Sequence, residues 1–224
     1  MKLRVSTAKE ALQAFPESSF ISKSGVYDVT IKFASLAVTA SGAESVNFNI
    51  DFNGNDQTLY GPYITSKDGN VIEVGARLIN NLAVIAGMQE GETYDLTSET
   101  HAVGKDKKPQ EFEVITNFSD LPVKVQLQES YGINPNTNQI RKSLVIKNFF
   151  NAEGTTAAEL ISGKDIGKQL AIVQEKYANN VTYEDGLTAE DVEKWKASQA
   201  SGAKATPKPT PKPAAAKPSA SLFK

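Results

Sequence analysis

The sequence has no cysteine and only one histidine among its 224 residues. Without cysteine the chain has no disulfide, no thiolate nucleophile and no thiolate zinc site, a usage typical of a reducing cytoplasm. A single histidine also excludes any metal site that needs two. This residue, His101, lies in the strand-like run TYDLTSETHAV without a catalytic motif around it, which favours an incidental strand position over a serine–histidine–aspartate triad. These absences remove most of the side-chain chemistry on which enzymes rely, and we expect a protein that is not an enzyme.

Long hydrophobic runs are also missing from the chain. No apolar stretch approaches the roughly 20 residues that are needed to span a bilayer. The first residues, MKLRVSTAKEALQAF, lack the continuous apolar core of a signal peptide. We therefore expect a cytoplasmic protein without a membrane partner.

Charge is distributed unevenly along the chain. Residues 200–224 contain five lysines and no acid, whereas residues 1–199 carry 19 positive and 26 negative side chains, a net charge of −7. An acidic body repels nucleic acid at long range, so binding it would require a locally positive surface. Residues 101–150 carry seven basic and five acidic side chains, and residues 151–199 carry five and nine. We therefore predict a positive strand-rich face and a negative helical region.

The chain ends in ATPKPTPKPAAAKPSASLFK. This Pro/Lys/Ala composition cannot form a core, and it predicts a disordered, extended tail over residues 201–224. Basic arms of this kind are commonly interaction segments. We predict that the residues at its end, Leu222, Phe223 and Lys224, bind a partner protein, the alternative being a terminal peptide without a role.

Apolar and polar residues alternate in the first third of the chain, which predicts half-buried β-strands. In GVYDVTIKF the side chains of Tyr27, Val29, Ile31 and Phe33 fall on one face. The run ESVNFNIDF alternates in the same way, after the hairpin-like connection SGAE. A third strand, QTLYGPYIT, carries a Gly-Pro pair that bends it or restricts it to a sheet edge.

The period then changes in the run VIEVGARLINNLAVIAG. Five apolar residues recur at steps of three and four: Val71, Val74, Leu78, Leu82 and Ile85. This spacing predicts a helix with one apolar stripe, and Gly87 is the expected stop. Strand signals return in two pairs of segments, first ETYDLTSETHAV with QEFEVITNF and then LPVKVQLQES with QIRKSLVIKNFF.

From residue 151 the pattern becomes helical. Thr156 with Glu159, and Thr188 with Asp191, are spaced as capping boxes at the starts of two helices. The run DIGKQLAIVQEKYA between them predicts a further helix.

The order of these elements predicts a mainly β fold with helices, of the α+β class. A strand meander, one helix between the third and fourth strands and further strands is the order of a five-stranded OB-fold-like barrel. A generic α+β domain would produce a similar order, and this alternative stays open. We predict three parts: an OB-like domain over residues 1–150, a helical extension packed on the barrel over 151–200, and the disordered tail over 201–224.

One chemical motif is excluded by its spacing, and a second is disfavoured by its context. The run GKDIGKQ has three residues between its glycines and Gln169 after the lysine, whereas a phosphate-binding P-loop needs four residues and a serine or threonine. The acidic residues lie on alternating strand faces or in helical runs, which is typical of solvated surfaces rather than of a two-metal nuclease site.

The remaining constellation consists of aromatic residues interleaved with basic ones. Single-stranded nucleic acid is bound by such sets, because cations follow the phosphates while aromatic faces stack on bases. The alternative for each residue is a core aromatic or a solubilising lysine. The predicted nucleic-acid-binding residues are Lys32, Tyr60, Tyr63, Lys67, Lys105, Lys107, Lys108, Phe112, Lys124, Tyr131, Arg141, Lys142, Lys147 and Phe149.

Over roughly residues 20–160 the chain resembles single-stranded DNA-binding proteins of bacteriophages. The resemblance is carried by GVYDVTIKFASLAVTASGAESVNFNIDF, by SKDGNVIEVGARLINNLAVIAG and by VKVQLQESYGINPNTNQIRKSLVIKNFFNAEGTTAAEL. It implies an OB fold, sequence-tolerant binding of single-stranded DNA, no cofactor, and a C-terminus that contacts replication and recombination proteins. It also implies a location in the cytoplasm of an infected bacterial host. One departure is the tail, which is basic here and typically acidic in such proteins.

The sequence thus supports a non-enzymatic single-stranded DNA-binding protein that acts in phage replication, recombination or repair. A second hypothesis is a β-rich structural or virion assembly protein, in which the aromatic faces make subunit contacts. A third is a nuclease or a nuclease accessory factor. Self-association into a homo-oligomer is compatible with each of them.

Overall fold

The computed structural model describes residues 20–104 and 106–200. Within these residues the fold is mainly β with four helices, which confirms the predicted α+β class. The strands are β1 (Gly25–Val38), β2 (Glu44–Phe52), β3 (Asn55–Leu59), β4 (Leu96–Val103), β5 (Lys108–Ile115), β6 (Leu121–Ile133), β7 (Ile140–Asn151) and β8 (Val181–Tyr183). The helices are α1 (Glu73–Ile85), α2 (Ala157–Ser162), α3 (Lys168–Lys176) and α4 (Ala189–Ala200).

The strands form one sheet in which β1 is central. Five strands follow the order β3-β2-β1-β5-β4 with antiparallel pairing, and β6 pairs with β1, β7 and β8. Strand β3 lies at the edge and pairs with β2. It ends at Leu59, so the Gly-Pro pair that the predicted strand contained follows the edge strand instead of lying within it. Among the described residues no ladder joins β3 to β7, so the sheet is open between them.

Strand β1 changes its partner at a β-bulge. In the ladder with β2, Ile31 pairs with Ile50 but Phe33 pairs with Asn49, which leaves Lys32 as the extra residue. Up to the bulge β1 pairs with β6, and beyond it with β5. A long strand thereby serves two neighbours on the same side, because the bulge increases its twist and bends it.

The bulge also overturns the predicted face of Phe33. One inserted residue shifts the alternation of side chains, so every later residue points to the opposite face from the one expected. Val29 and Ile31 lie in the large buried cluster that also contains Phe48, Leu82 and Phe149, which we name the main apolar cluster. After the bulge Ala34 joins them instead of Phe33. Phe33 is buried on the other face of the sheet, against the hairpin of β4 and β5.

Helix α1 contributes to the main apolar cluster through a face rotated from the predicted stripe. Its buried residues are Gly75, Leu78, Ile79, Leu82 and Ala83. Val71 and Val74, which the periodicity placed in the core, are 67% and 69% exposed. The physical reason is close backbone packing, since a Cβ on Gly75 would lie 1.9 Å from the carbonyl oxygen of Tyr63. The last residue of α1 is Ile85, and Gly87, the predicted stop, follows the C-cap residue Ala86 with a φ of 85°.

The described residues divide into two compact units, residues 20–104, 106–130 and 143–182 in the first and residues 131–142 with 183–200 in the second. The first contains the main apolar cluster, α1, α2 and α3. In the second, Tyr131, Leu187 and Val192 form a small buried cluster at the start of α4. Within the described part of the chain, none of the helices has the length and apolar character needed to cross a bilayer.

A buried carboxylate organises the helices of the first unit. Glu159 completes the predicted capping box: its Oε2 accepts from the Thr156 backbone N–H at 2.8 Å, and the Thr156 hydroxyl accepts from the Glu159 backbone N–H at 3.3 Å. Its Oε1 accepts from the Gln169 N–H at 2.9 Å, which links α2 to the start of α3. Burial acts to raise the pKa of Glu159, but the backbone N–H groups of Thr156 and Gln169 outweigh it and lower the pKa.

Replacing Glu159 with glutamine is expected to lower the free energy of unfolding at neutral pH by about 1–3 kcal/mol, because hydrogen bonds to a charged acceptor are lost. A depressed folded-state pKa contributes stability above the ordinary value of 4.5 and loses it as the pH falls through the lowered pKa. The difference between wild type and E159Q should therefore shrink between neutral pH and about pH 3 in urea unfolding. An unchanged difference would contradict this account.

Candidate nucleic-acid interface

The hairpin of β4 and β5 packs against the face of the sheet opposite the main core. His101 of β4 stacks on Phe33, with ring centroids 3.9 Å apart and ring planes 12° apart. Phe112 of β5 lies 5.3 Å from Phe33 on a tilted plane. Because the bulge turns Phe33 outward, one aromatic ring anchors both strands of the hairpin.

A groove with a cavity volume of about 220 Å³ lies between this hairpin and β1–β3. We name it the hairpin groove and define it by six of its lining side chains, Lys32, Phe33, Asn49, Asp56, Thr58 and His101. Thr58 on β3 donates to the Asn49 carbonyl Oδ1 on β2 at 2.9 Å, so a polar pair joins the two strands. Glu99 Oε2 lies 2.7 Å from His101 Nε2 and holds the imidazole in its stacked orientation.

Two cations meet at the hairpin groove. Asp56 Oδ1 lies 2.9 Å from Lys32 Nζ, and its Oδ2 lies 2.5 Å from the Nζ of Lys107, which belongs to the loop between β4 and β5. Hydrogen bonds from Lys107 and then from Lys32 lower the pKa of Asp56, so the carboxylate stays ionised at neutral pH. The structure thus brings together two predicted binding residues that are 75 positions apart in the sequence.

Two exposed tyrosines follow β3 along the same edge of the sheet. Tyr60 is 76% exposed and Tyr63 is 51% exposed. Gly61 between them presses its backbone onto β2, because a Cβ there would lie 1.6 Å from the Val46 carbonyl oxygen. Val46 N–H donates to the Pro62 carbonyl at 3.2 Å, which holds this segment against the sheet edge. The backbone is therefore fixed, while both aromatic side chains remain available to a ligand.

The other predicted basic residues do not converge on one point. Lys67, Lys108 and Lys147 are exposed on a turn, on β5 and on β7 respectively. Lys124 on β6 is partly buried and forms an ion pair with Asp28 on β1. In the second unit, Arg141 and Lys142 are exposed on β7. Four of the predicted residues lie outside the described ones: Lys105, Leu222, Phe223 and Lys224.

Two of the predicted stacking residues are core side chains, and their assignment is corrected. Tyr131 and Phe149 are each 1% exposed. Phe149 packs edge-on against Phe48 at 5.2 Å in the main apolar cluster, and Tyr131 packs edge-on against Trp195 at 6.1 Å in the second unit. Neither ring presents a face to a base, because both side chains are buried.

Several groove residues were missed by the sequence interpretation. Phe33 was assigned to the core, and His101 to an incidental strand position. Asp56, Asn49 and Thr58 were not singled out. One sequence pattern indicates these residues. The outward positions of ESVNFNIDF in β2 and of NDQTL in β3 are rich in amide and hydroxyl side chains. Such side chains on a sheet face are suited to ligand contacts as well as to solvation.

Comparison with known protein families and with curated proteins yields no match to this chain. The hairpin groove and the two edge tyrosines are therefore the features from which a function can be inferred.

Proposed function

We propose that the chain is a non-enzymatic protein that binds single-stranded DNA without sequence preference. The observation that carries the proposal is the arrangement at the hairpin groove, where Lys32 and Lys107 lie at a groove that also contains the stacked His101. The exposed rings of Tyr60 and Tyr63 lie along the same sheet edge as Asp56. Phosphates bind to the cations and bases stack on the rings.

The single strand is favoured over the duplex by the chemistry of these groups. Stacking on Tyr60 or Tyr63 requires a base whose face is open, and base faces are covered in a duplex. Aromatic stacking is tolerant of sequence because every base has a π-face. The protein would accordingly bind unpaired DNA of any composition, as in phage replication, recombination or repair intermediates.

The proposal includes an OB-like barrel as the scaffold. Its five strands would be β1, β2, β3, β6 and β7, with α1 after the third strand and the β4–β5 hairpin as an insertion. The meander β1–β2–β3, the pairing of β1 with β6 and the pairing of β6 with β7 support this assignment. OB folds bind oligonucleotides on the face of their second and third strands, where Asn49 and Thr58 lie here.

Two further features agree with this proposal. The segments that resemble phage single-stranded DNA-binding proteins cover β1, β2, α1, β7 and most of β6, which are the elements assigned to the barrel except β3. The groove cations counteract the repulsion between DNA and an acidic body at short range. In the proposal the tail over 201–224 contacts replication or recombination proteins through its terminal apolar pair.

Fluorescence anisotropy with labelled oligo-dT and with a duplex of equal length tests the proposal. We expect at least about tenfold tighter binding of the single strand, and a log–log salt dependence of about −0.7 for each phosphate contacted. Equal affinity for the two DNAs, or binding to oligo-dT that added salt does not weaken, would reject the proposal.

The assembly hypothesis is favoured by one separate observation. Ile161 and Ile166, on and after α2, are 76% and 60% exposed, and Leu160 is 40% exposed. Apolar side chains grouped in this way are typical of protein–protein contacts. A protein that self-associates and shows no preference for oligo-dT would support this second function.

A further inference from the structure

Asp56 connects three separate segments of the chain. It lies on β3 and takes one lysine on each carboxylate oxygen, Lys32 from the bulge of β1 and Lys107 from the β4–β5 loop. Two oxygens held by two ammonium groups reproduce the way in which the non-bridging oxygens of a phosphodiester are held by cations. The carboxylate therefore has the charge and the reach of a phosphate group at this position.

We propose that Lys32 and Lys107 form a phosphate subsite, which the Asp56 carboxylate fills until a phosphodiester of single-stranded DNA displaces it. The inference rests on the proposed function and adds a named subsite to it, together with an internal competitor for that subsite.

The ion pairs are of a kind that a ligand can displace. The side chains of Lys32, Lys107 and Asp56 are 46%, 57% and 38% exposed. Ion pairs at this exposure are weak because water and salt screen them. A phosphodiester brings the same single negative charge as the carboxylate, and stacking of its neighbouring bases adds binding energy that Asp56 does not have.

The replacement of the Asp56 carboxylate by a phosphate also affects how DNA binding depends on salt concentration. Cations condensed on DNA are released when a lysine neutralises a phosphate. At this subsite the displaced Asp56 carboxylate attracts cations in turn, so fewer ions are released in net. Removing the carboxylate should therefore strengthen binding and make it more sensitive to salt.

The test compares wild type with Asp56→Asn in oligo-dT binding at several salt concentrations. At low salt we expect D56N to bind oligo-dT about three- to tenfold more tightly, because DNA no longer has to displace Asp56 from two weak surface ion pairs. We expect the salt slope of D56N to steepen by about 0.7. The matched control is Asp165→Asn, which removes the same charge from an exposed pair with Lys168 at 3.2 Å. We expect the control to stay within about twofold of wild type.

A second variant tests whether the higher affinity of D56N comes from the subsite. When Lys107→Gln is added to D56N, it should remove most of the gain in oligo-dT affinity. In the wild-type background it should change the affinity much less, because Asp56 already pairs with Lys107 in that protein. The matched control, Lys168→Gln, should have the same small effect in both backgrounds.

The outcomes separate the two proposals. If wild type binds oligo-dT but D56N has the same affinity and slope, the subsite is wrong and the proposed function stands. If D165N gains as much as D56N, the gain comes from net charge alone and the subsite is again wrong. If neither wild type nor D56N binds oligo-dT, both proposals fail. If D56N alone binds, DNA does not displace Asp56 in the wild type, and both the displacement and the proposed function are wrong.

Discussion

Replacing both Tyr60 and Tyr63 with alanine is expected to weaken binding of oligo-dT by about 100-fold. Each base stacked on an aromatic ring contributes about 1–3 kcal/mol, and every 1.4 kcal/mol corresponds to a factor of about ten. The two rings are 76% and 51% exposed, so their removal should leave the free energy of unfolding almost unchanged. Fluorescence anisotropy at fixed salt measures the affinity, and urea unfolding measures the stability.

Two controls make this result specific. Phenylalanine at both positions keeps the ring faces and should retain most of the affinity, because stacking does not need the hydroxyl group. Alanine in place of Tyr177, which is 47% exposed beyond the end of α3, removes a similar ring elsewhere and should have no effect on binding. An unchanged affinity in the double alanine variant would mean that the edge tyrosines do not contact DNA.

Replacing Phe149 with alanine is expected to lower the free energy of unfolding by about 3–5 kcal/mol. Phe149 is 1% exposed and packs edge-on against Phe48, so the truncation leaves a cavity in the main apolar cluster. Urea unfolding followed by circular dichroism gives the difference. Alanine at Phe20, which is 53% exposed, should change the same quantity by about 0.5 kcal/mol or less.

A conservative substitution of Phe149 distinguishes a structural role from a DNA-binding role. Phe149→Leu keeps most of the buried volume and should leave oligo-dT affinity within about twofold of wild type. If F149L instead weakened oligo-dT binding tenfold while the protein remained folded, Phe149 would contact a base. Its burial in the main cluster would then not describe the DNA-bound protein.

The elements that depend on local spacing could be predicted from the sequence. The capping box of Thr156 and Glu159 forms with both reciprocal hydrogen bonds, and Gly87 ends α1 in the left-handed conformation. Strands β1 and β2 match the alternating runs GVYDVTIKFASLAV and ESVNFNIDF. Periodicity and capping are properties of neighbouring residues, so they can be recognised without the rest of the fold. The short strand β8 was missed, because three residues are too few to show a period.

The candidate site could be predicted in part. The residue types and several members, Lys32, Lys107, Tyr60 and Tyr63, were identified from the sequence. Tyr131 and Phe149 were assigned wrongly, because an aromatic residue next to basic ones has the same local pattern whether it is buried or exposed. The burial of a ring depends on contacts with distant elements, and local spacing carries no information about them.

The sequence by itself excluded cysteine chemistry and sites that need two histidines. It also determined the mainly β class and showed that a basic arm follows an acidic body. Composition and period are sufficient for these conclusions. The tertiary structure alone decided that Phe33 faces His101 rather than the core, because one extra residue at Lys32 reverses the faces of β1. It also placed Asp56 between Lys32 and Lys107, which are 24 and 51 positions away. Pairs this distant meet only when β1, β3 and the β4–β5 hairpin come together, and the hairpin groove is formed by the same packing.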